Sequence, residues 1–171
     1  MAHHDIPGID PSTVVQKLNE GLEARPIKQK CRSFNPERYA AINDEVKKLI
    51  DLGSIHEAYY PNWLANIVLV KKTNGKWRIC TNFTDLNRAC PKDYFPLPRI
   101  NELVDATSVH QILSFMDTYY VYNQIRMDPN DKEKTAFITN QGLYCYKVVS
   151  FGLKNAGATT KDWSIKYLRN S

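Results

Sequence analysis

No stretch of this 171-residue chain stays apolar for the ~20 residues that a membrane-crossing helix needs. Its start, Met1-Ala2-His3-His4-Asp5-Ile6-Pro7-Gly8, has no charged-then-apolar pattern of a secretory leader. The expectation is an intracellular protein with no membrane partner. Cysteine is sparse: the residues at 31, 80, 90 and 145 make none of the close pairs of a zinc site or a redox motif, so they read as free thiols in a reducing compartment. Internal repeats and low-complexity tracts are missing too.

What is present suits one domain with a real core, with 43% hydrophobic and 24% charged residues. The net charge of +5 is compatible with nucleic acid, and its distribution is uneven. Arg25, Lys28, Lys30, Arg32, Lys71, Lys72, Lys76, Arg78, Arg88, Lys92 and Arg99 all fall in the first hundred positions.

Residues 1–34 carry little hydrophobic periodicity and read as an extended lead-in. Asn35 then suits an N-cap and Pro36 the first helical position. Tyr39, Ile42, Val46, Leu49 and Ile50 follow at helical spacing before Gly53 stops the helix. Ala65 to Lys72 and Trp77 to Phe83 are strand-like on either side of Thr73-Asn74-Gly75-Lys76, whose Asn-Gly pair supplies the positive φ angles of a tight hairpin. Three prolines between Cys90 and Pro98 exclude regular structure there. A short helix with Ile100, Leu103 and Val104 on one face should follow. Ile112 to Met116 read as a strand ending on Asp117, and Thr135 to Thr139 with Leu143 to Val149 as a second hairpin. Asn155 is placed to cap a last helix. The order predicts an α+β fold with mainly antiparallel strands and packed helices.

The run Ser114 to Ile125, with Asp117 at the end of an apolar strand and Tyr122 five positions later, resembles the first catalytic-carboxylate motif of a reverse transcriptase. Further motifs stand in family order: Trp63-Leu64-Ala65-Asn66, Val70-Lys71-Lys72, Asn74-Gly75-Lys76-Trp77-Arg78, Asp85-Leu86-Asn87, Phe95-Pro96-Leu97-Pro98-Arg99-Ile100, Lys134-Thr135-Ala136-Phe137 and Phe151-Gly152-Leu153-Lys154-Asn155-Ala156. Together they resemble the reverse transcriptase segment of the Pol polyprotein of plant-type gypsy-class long-terminal-repeat retrotransposons, from near Ile6 to about Thr159.

The resemblance implies a partial right-hand polymerase fold, fingers plus an incomplete palm, over 35–159, followed by a divergent tail at 160–171. It implies Asp117 as catalytic residue and ligand of Mg²⁺. It implies Lys71, Arg78, Tyr122, Phe151 and Gly152 as nucleotide-binding residues, with Lys72 and Lys76 on nucleic acid. The partners implied are an RNA or DNA template-primer and a dNTP. Magnesium requires hard oxygen ligands, guanidinium makes paired bonds to phosphate, and glycine admits close backbone approach.

Two departures stand out. Tyr120-Val121 occupy positions where the family commonly has Ser-Gly, and Ser150 stands where proline usually precedes Phe-Gly. The acids beyond Asp117 are Asp128, Asp131, Glu133 and Asp162, none adjacent, so the Tyr-x-Asp-Asp motif is not among these residues. The expectation is a segment truncated before that motif and inactive alone. A non-catalytic nucleic-acid-binding remnant and a degenerate product without a role stay open beside it. His3-His4-Asp5 read as incidental, and Asp44-Glu45 point in different directions on their helix.

Overall fold

The computed structural model describes residues 8–73, 75, 77–94, 99–108, 112 and 121–160, with backbone alone for Glu102, Leu103, Ala106 and Val121. The expected strand before Asp117, Asp117 itself, Asn74, Lys76 and the tail beyond Thr160 lie outside these residues.

Helix α1 (Pro36–Asp51) forms where its capping signals stand. Asn35 is extended at φ −72° and its side chain accepts from the Arg38 amide at 3.0 Å. Gly53 closes it at φ +66°, donating to Ile50 O at 2.8 Å. Ile42 and Val46 are buried with Tyr39 and Leu49 partly covered, whereas Ile50, expected on the same face, is 45% exposed.

Strands β2 (Ile55–Glu57), β3 (Ala65–Lys71), β4 (Trp77–Thr81), β6 (Phe137–Ile138) and β7 (Leu143–Tyr146) form one sheet in the order β2-β7-β6-β3-β4. Three of its four pairings are antiparallel, and β3 with β6 is parallel. Both expected hairpins are present, and each has shorter strands than the apolar runs suggest. In the first, Gly75 lies between the two strands at φ +78°, a conformation that favours glycine.

Phe137 sits fully buried in the sheet with Tyr146 and Tyr144 rings 5.2 and 6.0 Å away. The buried Tyr146 hydroxyl meets Thr81 Oγ1 at 3.1 Å, which satisfies both polar groups, and burial pushes this phenol up to about 12.

Helix α2 (Thr84–Ala89) was hidden in the sequence because six residues are too few to show a helical period. Helix α3 (Ile100–Ser108) appears as expected, and α4 (Val121–Gln124) leads into β5 (Arg126–Met127). Val121 stands in helical backbone, which a β-branched residue adopts without strain. Residues 156–160 are helical. The Asn155 side chain does not cap them: its Nδ2 donates to Pro91 O at 2.9 Å and its Oδ1 accepts from Asp93 N at 3.1 Å. The proline-rich segment is anchored there instead.

The described part of the lead-in, residues 8–34, packs on the body. Its strand β1 (Val15–Gln16) pairs in parallel with β5, and Val14, Gln16 and Leu18 are buried. No helix among the described residues is long and apolar enough to cross a membrane.

Candidate functional site

Three segments distant in sequence converge beside the β3–β4 hairpin. Arg78, on β4, places its guanidinium carbon 5.8 Å from the centroid of the Phe151 ring, a cation–π distance. The Phe151 ring in turn lies 5.2 Å from that of Tyr122 on α4, tilted by 59°. Phe151 remains 60% exposed, so an aromatic face and a guanidinium are both open to a ligand.

The loop carrying Phe151 is clamped from below by α2. Asn87 donates through Nδ2 to Gly152 O at 2.7 Å and accepts through Oδ1 from Lys154 N at 3.0 Å. The Lys154 ammonium donates to Asn87 O at 3.0 Å and Cys90 O at 2.8 Å, placing a cation on the last carbonyls of α2. Gly152 has φ +97°, and a Cβ there would lie 3.4 Å from Thr81 O. Glycine is therefore favoured by conformation, while the approach to β4 is an ordinary van der Waals contact. Asp85-Leu86-Asn87 and Phe151 to Lys154 were recognisable as separate motifs, but their junction was not, and Asn87 and Lys154 had been given no role.

Lys71 does not join Arg78. Residues opposite each other in an antiparallel pair share a face, and Lys71 stands opposite Trp77 while Val70 stands opposite Arg78. Its ammonium lies 5.6 Å from the Trp77 ring, with the Arg38 guanidinium of α1 at 5.9 Å from the same ring. Alternation along the strand therefore sends Lys71 to the face opposite Arg78. Lys72 lines an open cleft of about 470 Å³ with Trp77, Arg78 and, on α1, Asp44, Glu45 and Lys48. Glu45 is held there by Lys48 at 2.7 Å.

Asp117 and Lys76 lie outside the described residues. Among the described residues no group of three or more His, Cys, Asp or Glu could hold a metal ion, so they do not by themselves fit a divalent cation. His56 and Cys145 do face each other across β2 and β7, with Sγ 3.3 Å from Nε2. Burial pushes the Cys145 thiol up to about 11, so at neutral pH it is a protonated, structural group.

A family model described as reverse transcriptase (RNA-dependent DNA polymerase) matches residues 70–162. The enzymatic polyprotein of cauliflower mosaic virus (strain Strasbourg) is 30% identical over 156 residues, covering 86% of this chain and 23% of that protein. The retrovirus-related Pol polyprotein from transposon 412 of Drosophila melanogaster is 31% identical over 156 residues, covering 86% and 12%. The chain thus spans less than a quarter of the length of these relatives. Among solved structures, the protease-reverse transcriptase of prototype foamy virus superposes with TM-score 0.69 at 17% identity, covering 86% of this chain and 20% of that one. A foamy viral protease-reverse transcriptase in complex with double-stranded DNA gives TM-score 0.69 at 16% identity, covering 92% and 27%. At such identities the superpositions speak to the fold, which is that of part of a polymerase.

Proposed function

The chain belongs to the reverse transcriptase (RNA-dependent DNA polymerase) family, and from that membership we propose that it forms the fingers and part of the palm of a gypsy-class retrotransposon polymerase, holding the incoming dNTP between Arg78, Phe151 and Tyr122. The observation that carries this reading is the convergence of those three side chains from β4, the 151–154 loop and α4. The Arg78 guanidinium offers forked donors to a triphosphate, and it does so beside an exposed aromatic ring that can take a base or sugar. Tyr122 stands where an aromatic ring would press on the sugar and disfavour a 2′-hydroxyl. Gly152 shapes the floor by turning the loop at positive φ beside β4.

We keep Lys72 as a nucleic-acid contact, in the cleft between the hairpin and α1, and leave Arg78 as the hairpin cation beside the aromatic pair, because Lys71 is on the other strand face. Members of the family work with divalent metal ions, and we assign Mg²⁺ to Asp117 by its place in the motif. Such an ion would lower the barrier to attack on the α-phosphate. The residues described here bind and orient the nucleotide.

The test is titration of the chain with a fluorescent dNTP. Arg78→Ala should weaken binding by roughly 10-fold or more, as expected for a lost charge-assisted pair of about 1.5–3 kcal/mol, and Tyr122→Ala should narrow the preference for dNTP over rNTP. Unchanged affinity in Arg78→Ala would sink the reading.

A further inference from the structure

Arg78 sits on a ribbon that the sheet by itself holds weakly. Its strand, β4, is the outermost one. The pairing of β3 with β6 covers only Ala65 and Asn66, so among the described residues Ile67 to Lys71 pair with Thr81 to Trp77 and with no other strand. A two-stranded ribbon is marginal in water unless something packs on it. Leu69 and Ile79 still rest against the core, whereas Val70 is 48% exposed and Lys71 and Lys72 are exposed as well. The tip therefore has little apolar cover.

Trp77, the first residue of β4, gives the tip a different hold. Lys71, opposite it in the register, places its ammonium 5.6 Å from the ring centroid, and Arg38 of α1 places its guanidinium carbon at 5.9 Å. One cation comes from the ribbon and one from the helix. The helix end that supplies Arg38 is itself fixed: the Asn35 side chain accepts from Arg38 N at 3.0 Å, and Phe34 N donates to the Tyr39 hydroxyl at 3.2 Å with the two rings 5.8 Å apart. Among the described residues neither Arg38 nor Lys71 forms an ion pair, so no carboxylate draws them off the ring. Trp77 directly precedes Arg78, whose guanidinium carbon is 5.8 Å from the Phe151 ring, and a shift of the Trp77 backbone carries Arg78 with it.

We propose that Arg38, Trp77 and Lys71 form a clasp that ties the ribbon to α1 and so positions Arg78 against Phe151. All three are positioning residues: Lys71 acts on nucleotide binding through Arg78, from the opposite strand face. The proposal rests on the reading of Arg78 as a nucleotide-binding residue. With the clasp open, Arg78 spends part of its time away from the aromatic pair, and apparent affinity falls by that fraction.

The experiment combines fluorescent dNTP titration with amide hydrogen exchange. Arg38→Ala is the primary variant, because that side chain is exposed and its removal opens no cavity. It should weaken dNTP binding about 3-fold, the size of one exposed cation–π contact. It should also raise exchange at 68–71 and 77–80 while leaving 143–146 unchanged. Arg38→Lys should restore both, and Trp77→Phe should retain more affinity than Trp77→Ala. The Arg78→Ala background separates positioning from direct contact or bulk charge: there Arg38→Ala and Lys71→Ala should each change affinity by less than about 1.5-fold, since their effect passes through the missing guanidinium.

Equal losses in both backgrounds would overturn the clasp, with Lys71 then meeting the nucleotide itself and Arg38 acting as a distant charge. Unchanged exchange in the ribbon of Arg38→Ala would overturn it too. The two readings fail separately. If Arg78→Ala leaves affinity unchanged, the nucleotide site is wrong and the positioning role falls with it; if Arg78→Ala weakens binding and Arg38→Ala does not, only the clasp falls.

Discussion

Ser150 shows how a single side chain bears on the site. Its hydroxyl is buried and, among the described residues, has no hydrogen-bond partner, one position before Phe151, where the family usually has proline. An unpaired buried hydroxyl costs about 1–3 kcal/mol. Ser150→Ala should therefore raise stability by ~1 kcal/mol in denaturant unfolding, and a loss of stability would mean that the hydroxyl has a partner. The His56–Cys145 pair makes a second expectation, in pH. Burial raises Cys145 from the usual 9.0 to about 11, so its contribution is whole below pH 9.0 and disappears as pH climbs through about 11. His56 is held below its usual 6.5 by burial and by Lys132 and Lys147, so its contribution is present above 6.5 and disappears as pH falls. Thermal midpoints should form a plateau between about pH 6.5 and 9.0. Cys145→Ala should reduce the slope of the alkaline limb by up to ~1.4 kcal/mol per pH unit, while Cys90, Tyr146 and Lys134, all raised in the same direction, maintain the remainder.

At the scale of elements, α2 matters more than its length suggests. Through Asn87 it holds both sides of Gly152, and through Lys154 its own C-terminal carbonyls are satisfied. Asn87→Ala should lower stability by about 1–3 kcal/mol and increase amide exchange across 151–154, with β3 and β4 unaffected. Equal exchange in that loop would show that Thr81 and Phe83 alone hold it. Helix α1 presents the simpler case: with one amide accepted by Asn35, replacing that residue by alanine should cost ~1 kcal/mol without moving the site.

Across the whole molecule the lead-in is part of the fold. Glu20 accepts from the Trp63 indole at 3.1 Å and from Lys134 at 2.6 Å, while Asp131 accepts from Lys134 at 2.9 Å and from Leu18 N at 2.9 Å. Burial alone would lower the lysine, but the bonds to Glu20 and Asp131 hold Lys134 above its usual range. Deleting residues 1–24 removes this network with the buried Val14, Gln16 and Leu18. Cooperative melting should then be lost, whereas a retained sharp transition would make the lead-in a mere appendage. These residues taken alone should also extend no primer on an RNA template. They hold no adjacent acidic pair beyond Asp117, and two-ion phosphoryl transfer requires carboxylates for both ions. Extension abolished by Asp117→Asn would refute that.

Local rules suffice wherever the deciding interactions lie within a few residues. Asn35, Pro36 and Gly53 announce α1 because caps act over one turn, and Asn74-Gly75 announces the hairpin because a turn is decided by the angles its own residues allow. The family motifs made Arg78, Tyr122, Phe151 and Gly152 legible as candidates one by one. Their convergence was not legible, because it depends on Asn87 reaching across 65 residues to the Gly152 carbonyl. The fate of Lys71 was decided by strand register, where alternation sends neighbouring side chains to opposite faces. Asn155 looked like a cap until a proline-rich segment far upstream took its amide. Sequence determined which groups are available; tertiary structure decided which of them meet, since hydrogen bonds and ring contacts depend on distances in space that no local pattern encodes.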